Sequence, residues 1–238
     1  MKKLFLFSLA ICVSLTVMAQ DEPMAVETLN ILPKRGMNNE FETAVKAHNV
    51  KFHKDGLHKA GLRRVDYGKN AGWYVWVMGP TSYAALDSRP AGKGHDDDWS
   101  KTIEPLVEKY GEVSLFNYNA DLSYGADILQ KSGKYEVWAI DIKRGQYYRF
   151  KAIAEKLKKT YESMGTFSFM VFNNQVHTAG GPDVGMLWSF NTYEEWSKNR
   201  GAKAVFEKIY GENSWQRMLD EWNDILVDYD AELRTIIK

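Results

Sequence analysis

Histidine is scarce in this chain, five in 238 residues, and unevenly placed: His48, His53, His58 and His95 precede residue 100, and only His177 follows. Imidazole changes charge near neutral pH and is the commonest transition-metal ligand. His48 is the most informative of the five. It lies in a stripe formed by Phe41, Val45, His48 and Phe52, at helical spacings of four, three and four. An imidazole on such an apolar face needs a hydrogen-bond partner, a metal or a ligand. The bland alternative is a core histidine satisfied by a nearby carbonyl or tyrosine.

The other constellations carry less. "GHDDDW" (94–99) gathers His95 with Asp96, Asp97 and Asp98, donors suited to a divalent cation. Consecutive aspartates cannot converge on one ion without a turn, however. The same acids suit a helix N-terminus, with Asp98 as its cap. "HKDGLHK" sets His53 and His58 five apart across a helix end, where they are expected to face solvent between lysines that disfavour a cation. "HTAGGPD" (177–183) is a turn without the following helix that a phosphate loop requires. There is no Ser-His-Asp or Cys-His signature, and no carboxylate pair is tied to a cleft. No metal site is assigned on this basis.

The elements that must position these groups follow from periodicity. "VETLNIL" (26–32) reads as a strand, 39–54 as an amphipathic helix stopped by Gly56, and 61–68 with 72–79 as a hairpin. A short helix in "PTSYAALDS", a second helix over about 99–110 and a strand in "EVSLFNYNADLSYG" complete a β-α-β-β-α-β unit. The second half repeats that order, from the strand "YEVWAIDI" through a helix over 147–163 to the terminal strand "LVDYDAELRTII". In "WYVWVM" (73–78) alternation puts Trp73, Val75 and Val77 on one face and Tyr74, Trp76 and Met78 on the other. Both faces are apolar, so both must be covered.

Residues 34–56 and 143–165 align without gaps. Phe41 falls on Phe150, Gly56 on Gly165, and His48 on Leu157. The preceding strands keep register too, with Leu29 and Ile31 matching Trp138 and Ile140. "NYNADL" (117–122) also matches "DYDAEL" (228–233). Agreement at several levels reads as an internal duplication. The expected organisation is a leader over 1–19, a first repeat over 24–124, a linker over 125–134 and a second repeat over 135–238. The expected class is α+β, two ferredoxin-like repeats packed sheet to sheet as an intramolecular α/β barrel.

The N-terminus begins with Lys2 and Lys3, continues apolar to Val17 and ends in "VMA", the pattern of a signal peptide cleaved near Ala19. This predicts a periplasmic or secreted protein. Its mature form has no cysteine, since Cys12 is the only one, so disulfide and thiol chemistry are closed. Without the leader, 29 basic residues face 31 acidic ones. That balance argues against nucleic acid or a membrane as partner and leaves a small-molecule ligand, with the protein a monomer or homodimer.

The paired strand-helix-hairpin-helix-strand units carry a resemblance. So do "WVMGPTSYAAL" and "WSFNTYEEW", where a strand tryptophan precedes a short aromatic-bearing helix, and a last strand ending in "ADLSY". The chain resembles the dimeric α/β-barrel superfamily, which includes antibiotic-biosynthesis-type monooxygenases, EthD-like and NIPSNAP-like domains and haem-degrading monooxygenases. The resemblance implies a ligand cleft between helices and sheet, here in the first repeat. The implied ligand-binding residues are Asn30, His48, Phe52, Trp76 and His95, with His48 as catalytic base if there is catalysis. The haem-degrading members imply a haem cofactor, with Asn30 and Trp76 at their asparagine and tryptophan positions and His95 as iron ligand. His95 falls farther along than that pattern wants. Three expectations follow: an exported small-molecule-binding protein, a monooxygenase-like enzyme using the same cleft with or without haem, and a structural module without a ligand.

Overall fold

A computed structural model describes residues 24–178 and 180–238; the signal-peptide segment lies outside the described residues. The described residues form eight strands: β1 (Met24–Pro33), β2 (Ala60–Tyr67), β3 (Tyr74–Ser82), β4 (Val107–Tyr118), β5 (Lys134–Ile142), β6 (Phe169–Asn174), β7 (Val184–Phe190) and β8 (Leu226–Ile237). Eight α-helices accompany them: α1 (Asn38–Phe52), α2 (Tyr83–Leu86), α3 (Lys93–Thr102), α4 (Ala126–Lys131), α5 (Tyr147–Met164), α6 (Tyr193–Ser197), α7 (Ala202–Tyr210) and α8 (Ser214–Ile225). No helix among the described residues is long and apolar enough to cross a membrane.

The strands form one antiparallel sheet closed on itself, in the order β1-β3-β2-β8-β5-β7-β6-β4. This closed sheet matches a dimeric α/β barrel-like fold. Where an α/β barrel packed sheet to sheet was expected, the pairings close the sheet at its strand edges. β2 is zipped to β8, with Leu62 opposite Ile237, and β4 to β6, with Tyr118 opposite Phe172. Joining at the edges satisfies the backbone groups that two open sheets would leave bare. The faces not covered by helices then line a common lumen, which holds a cavity of about 420 Å³.

Strand alternation is as expected. Tyr74, Trp76 and Met78 face the helices and pack with Ile31, Phe41, Val45 and Ile103, whereas Trp73, Val75 and Val77 line the lumen. The second half buries Phe150, Ile153, Leu157 and Tyr161 of α5 against Ile140, Phe169, Val171 and Met186. Burying one such aromatic or branched side chain stabilises the fold by about 1.5–3 kcal/mol. Two local expectations about the second helix fail. The second helix runs over Lys93–Thr102 rather than 99–110, because Pro105 cannot continue it. Asp96, not Asp98, meets its N-terminus by accepting from the Gly92 N–H at 3.0 Å. The segment expected as a linker carries α4.

Asp66 ties the two halves where β2 meets β8. Its carboxylate accepts from the Thr235 hydroxyl, from Tyr193 at 2.6 Å and from Arg64 at 2.8 Å. Burial pushes this carboxyl up, but those donors outweigh it and hold it below the usual carboxylate value. A depressed folded value means the contribution is present above the unfolded value of about 4 and is lost as pH falls through the folded one. Asp66→Asn is therefore expected to lower stability at pH 7 by about 1–3 kcal/mol. Urea unfolding at pH 7 and pH 3 checks this, because the gap between the two proteins should close at the lower pH.

Candidate metal centre

α1 lies across the outer face of β3 and β2, seated by Phe41, which is fully buried and meets Tyr74 edge-on at 5.1 Å between ring centres. Two turns on, this seating drives His48 into the same interface, where it is 1% exposed. After Phe52 the chain turns through Gly56, whose φ of +73° suits glycine. The Ala60 N–H then donates to the His53 carbonyl at 3.0 Å. That return folds His53 inward to 3% exposure, correcting the expectation that it faces solvent. α3 brings His95 down onto both from the opposite side. One nitrogen from each of the three imidazoles lies within 4.8 Å of the others.

Second partners fix which nitrogens converge. His48 Nδ1 is 2.8 Å from an Asp98 carboxylate oxygen, His53 Nδ1 2.9 Å from the His58 carbonyl, and His95 Nδ1 2.9 Å from an Asp96 oxygen. Each Nδ1 meets an acceptor, so each carries the proton and leaves Nε2 as a lone-pair donor. His58 is itself held, its Nε2 donating to the Ala85 carbonyl at 2.8 Å. The Nε2 atoms of His53 and His95 face each other at 3.2 Å, and His48 Nε2 is buried with no hydrogen-bond partner. Two facing lone pairs and a buried orphan make an arrangement that a cation resolves.

The His53–His95 distance suits a metal. Bonds of about 2.0–2.1 Å to tetrahedral zinc put neighbouring nitrogens roughly 3.3 Å apart, close to the His53–His95 spacing. Backing of each ligating imidazole by a carboxylate or carbonyl is the usual second shell of a metal site. Burial holds His48 below its ordinary value against the opposing Asp98 hydrogen bond, and holds His53 down likewise. Both are thus neutral and ligand-competent near pH 7. Asp98 is kept low by His48 and then Lys51, whose Nζ lies 2.9 Å from it.

The surrounding wall is aromatic. Phe52 lies 4.9 Å from His48 and 5.1 Å from His95, Trp99 5.1 Å from His48, and Trp76 5.2 Å from His53, all between ring centres. Trp76 Nε1 donates to Asn49 at 2.9 Å. A cavity of about 220 Å³ beside the centre is lined by His53, Asn49, Lys46 and Leu62.

Of the five residues expected to bind ligand, the structure brings together His48, Phe52, Trp76 and His95 and separates Asn30. Asn30 follows Leu29 on β1 and so points to the other side of the sheet, into the lumen. The three aspartates diverge to separate partners: Asp96 to His95, Asp97 to Lys101, and Asp98 to His48 and Lys51. The sequence reading assigned no metal site, and it missed His53 and the backing by Asp98. The helical placement of His95 and Asp98, three apart on one face, was the signal available. A haem group does not fit here. His95 Nε2 abuts His53, with the His48 and Phe52 rings 4.8 and 5.1 Å away, and Asn30 lies across the sheet.

No protein-family model and no curated protein matches the sequence. Solved structures do match the fold. A proposed monooxygenase from Lactobacillus acidophilus NCFM superposes with a TM-score of 0.57 at 13% identity, over 90% of this chain and 95% of that one. A proposed monooxygenase from Fusobacterium nucleatum gives 0.61 at 10% identity, over 92% and 94%. The chlorite dismutase of Candidatus Nitrospira defluvii gives 0.52 at 9% identity, over 89% and 90%. At these identities the likeness is one of fold.

Proposed function

We propose that this protein is an exported metal-dependent enzyme of the monooxygenase-like class, acting on a small molecule in the helix–sheet cleft of its first half. One observation carries the reading: each of three imidazoles places a nitrogen within 4.8 Å of the others while every Nδ1 meets an acceptor. His48, His53 and His95 hold the ion, and three protein ligands leave a position open to substrate or water. When bound, the ion supplies Lewis acidity at that open position. Asp98, Asp96 and the His58 carbonyl orient the imidazoles, and Phe52, Trp76 and Trp99 limit water. His48 is thereby reassigned from general base to ligand, because its Nδ1 is committed to Asp98 and Nε2 is the buried nitrogen left without a partner.

The finer organisation belongs to the same proposal. The halves, residues 24–124 and 135–238, descend from a duplicated unit. Residues 109 apart take equivalent places: Leu29 and Trp138 face the helices, Asn30 and Ala139 the lumen. Four of the five histidines lie in the first half, and Leu157 stands in the second-half core where His48 would be. The leader is removed near Ala19 and the mature protein works outside the cytoplasm, with a small molecule as its partner.

Native mass spectrometry of protein recovered from an export-competent host tests this. The expected mass begins at Gln20 and includes one transition-metal ion per chain, removable by chelation. Protein that arrives metal-free and takes up no zinc, iron, cobalt or copper ends the metal reading; a binary carrier without turnover remains as the second reading if metal is present but no organic ligand is ever processed.

A further inference from the structure

We propose that the barrel lumen is a second small-molecule site, one that takes an uncharged or cationic amphiphile with its apolar body inward. It is separate from the metal centre, because Val75 and Val77 face it while Trp76 and Met78 face the helices. An eight-stranded barrel has room for packed side chains or for one small ligand. The 420 Å³ here falls in the range of ligand pockets.

The void comes from small residues at mid-barrel. Thr28, Ser114, Ala139 and Gly185 face the lumen on β1, β4, β5 and β7. Gly185 is telling, since its backbone is ordinary strand and an added Cβ would meet only Phe172 Cβ, at 3.8 Å. No turn or close approach requires glycine there, so its effect is to leave space. Gly111 differs: a Cβ would fall 2.7 Å from the Trp73 ring, and its absence lets that ring lie against the wall. One end is sealed by Tyr135, Met170 and Leu187 with Tyr118 and Ile236. The other is framed by the β2–β3 and β6–β7 turns, through Lys69, Asn70 and Pro182.

Polar groups lining the lumen set the ligand class. Lys69 pairs with Asp230 at 3.1 Å, and Arg234 with Glu232 at 2.7 Å, while Asn70 donates to Glu232 at 2.7 Å. Glu112 accepts from the Ser114 hydroxyl at 3.0 Å and pairs with no cation among the described residues. Acidic groups thus exceed basic ones by one around the lumen, which repels an anionic head and suits a neutral or cationic one. Val75, Val137, Phe116 and Phe172 receive the body.

Fluorescence titration with N-phenyl-1-naphthylamine, uncharged, and 1-anilinonaphthalene-8-sulfonate, anionic, tests the proposal on the full mature chain. The neutral dye should bind saturably, at least tenfold tighter than the sulfonate. Gly185→Leu and, independently, Ala139→Leu should each weaken it tenfold or more while circular dichroism and melting temperature hold or rise. Chelation of metal should leave dye binding unchanged. The proposal is overturned by no saturable binding, by binding that both folded variants retain, by preference for the sulfonate, or by loss of the dye on chelation.

Discussion

His95→Ala is expected to abolish metal-dependent stabilisation while leaving the metal-free fold almost untouched. His95 is one of three ligands, and a site reduced to His48 and His53 keeps neither the charge-oriented donor on α3 nor the 3.2 Å pair. In the native protein, metal at 100 to 1,000 times its dissociation constant adds about 2.7–4.1 kcal/mol. The variant should show none of this increment. Its metal-free stability should shift by less than about 1 kcal/mol, because the ion pair lost is with the exposed Asp96 and the ring packing lost against His48 and Phe52 is offset by relief of the two facing nitrogens of His53 and His95. Thermal melts with and without added zinc, for both proteins, read both quantities. His48→Leu, copying Leu157, should lose the increment too without weakening the metal-free fold, since it removes a buried orphan nitrogen and leaves Asp98 with Lys51. A loss of several kcal/mol in the metal-free state would instead mark His48 as a structural hydrogen-bonding residue.

The largest stability effect is expected at Phe41. It is fully buried against Tyr74 and is the wedge that seats α1, the helix that carries His48 and Asn49. Phe41→Ala removes most of a buried ring and leaves a void that a closed barrel cannot collapse around, so a loss of about 3–5 kcal/mol is expected. Val50→Ala, on the solvent side of the same helix and 58% exposed, should change stability by less than about 0.5 kcal/mol. Urea denaturation of the pair separates packing from helix propensity. Because Phe41→Ala loosens α1, its metal affinity should fall as well, which an exposed-face change should not produce.

Much of the architecture was legible because it rests on local periodicity. The alternation in 73–78 and the stripe ending at Phe52 depend on residues a few positions apart, and both hold in the structure. How the halves join was not legible. Edge pairing of Leu62 with Ile237 spans most of the chain, and nothing local to either strand names its partner. The site was half legible for the same reason. His48 stood out as a polar residue in an apolar stripe. His53 looked solvated because it follows the helix end, and only the turn through Gly56 carries it inward. Missing Pro105 as a helix terminator shifted the second helix, leaving His95 in a supposed loop and hiding its face-sharing with Asp98.

Everything functional here depends on three imidazole nitrogens meeting one ion. X-ray absorption at the metal edge of the loaded protein asks this directly. Three histidine nitrogens at about 2.0–2.1 Å are predicted, with one lost in His95→Ala. A shell of oxygens without imidazole scattering, or a spectrum identical in the variant, would contradict it.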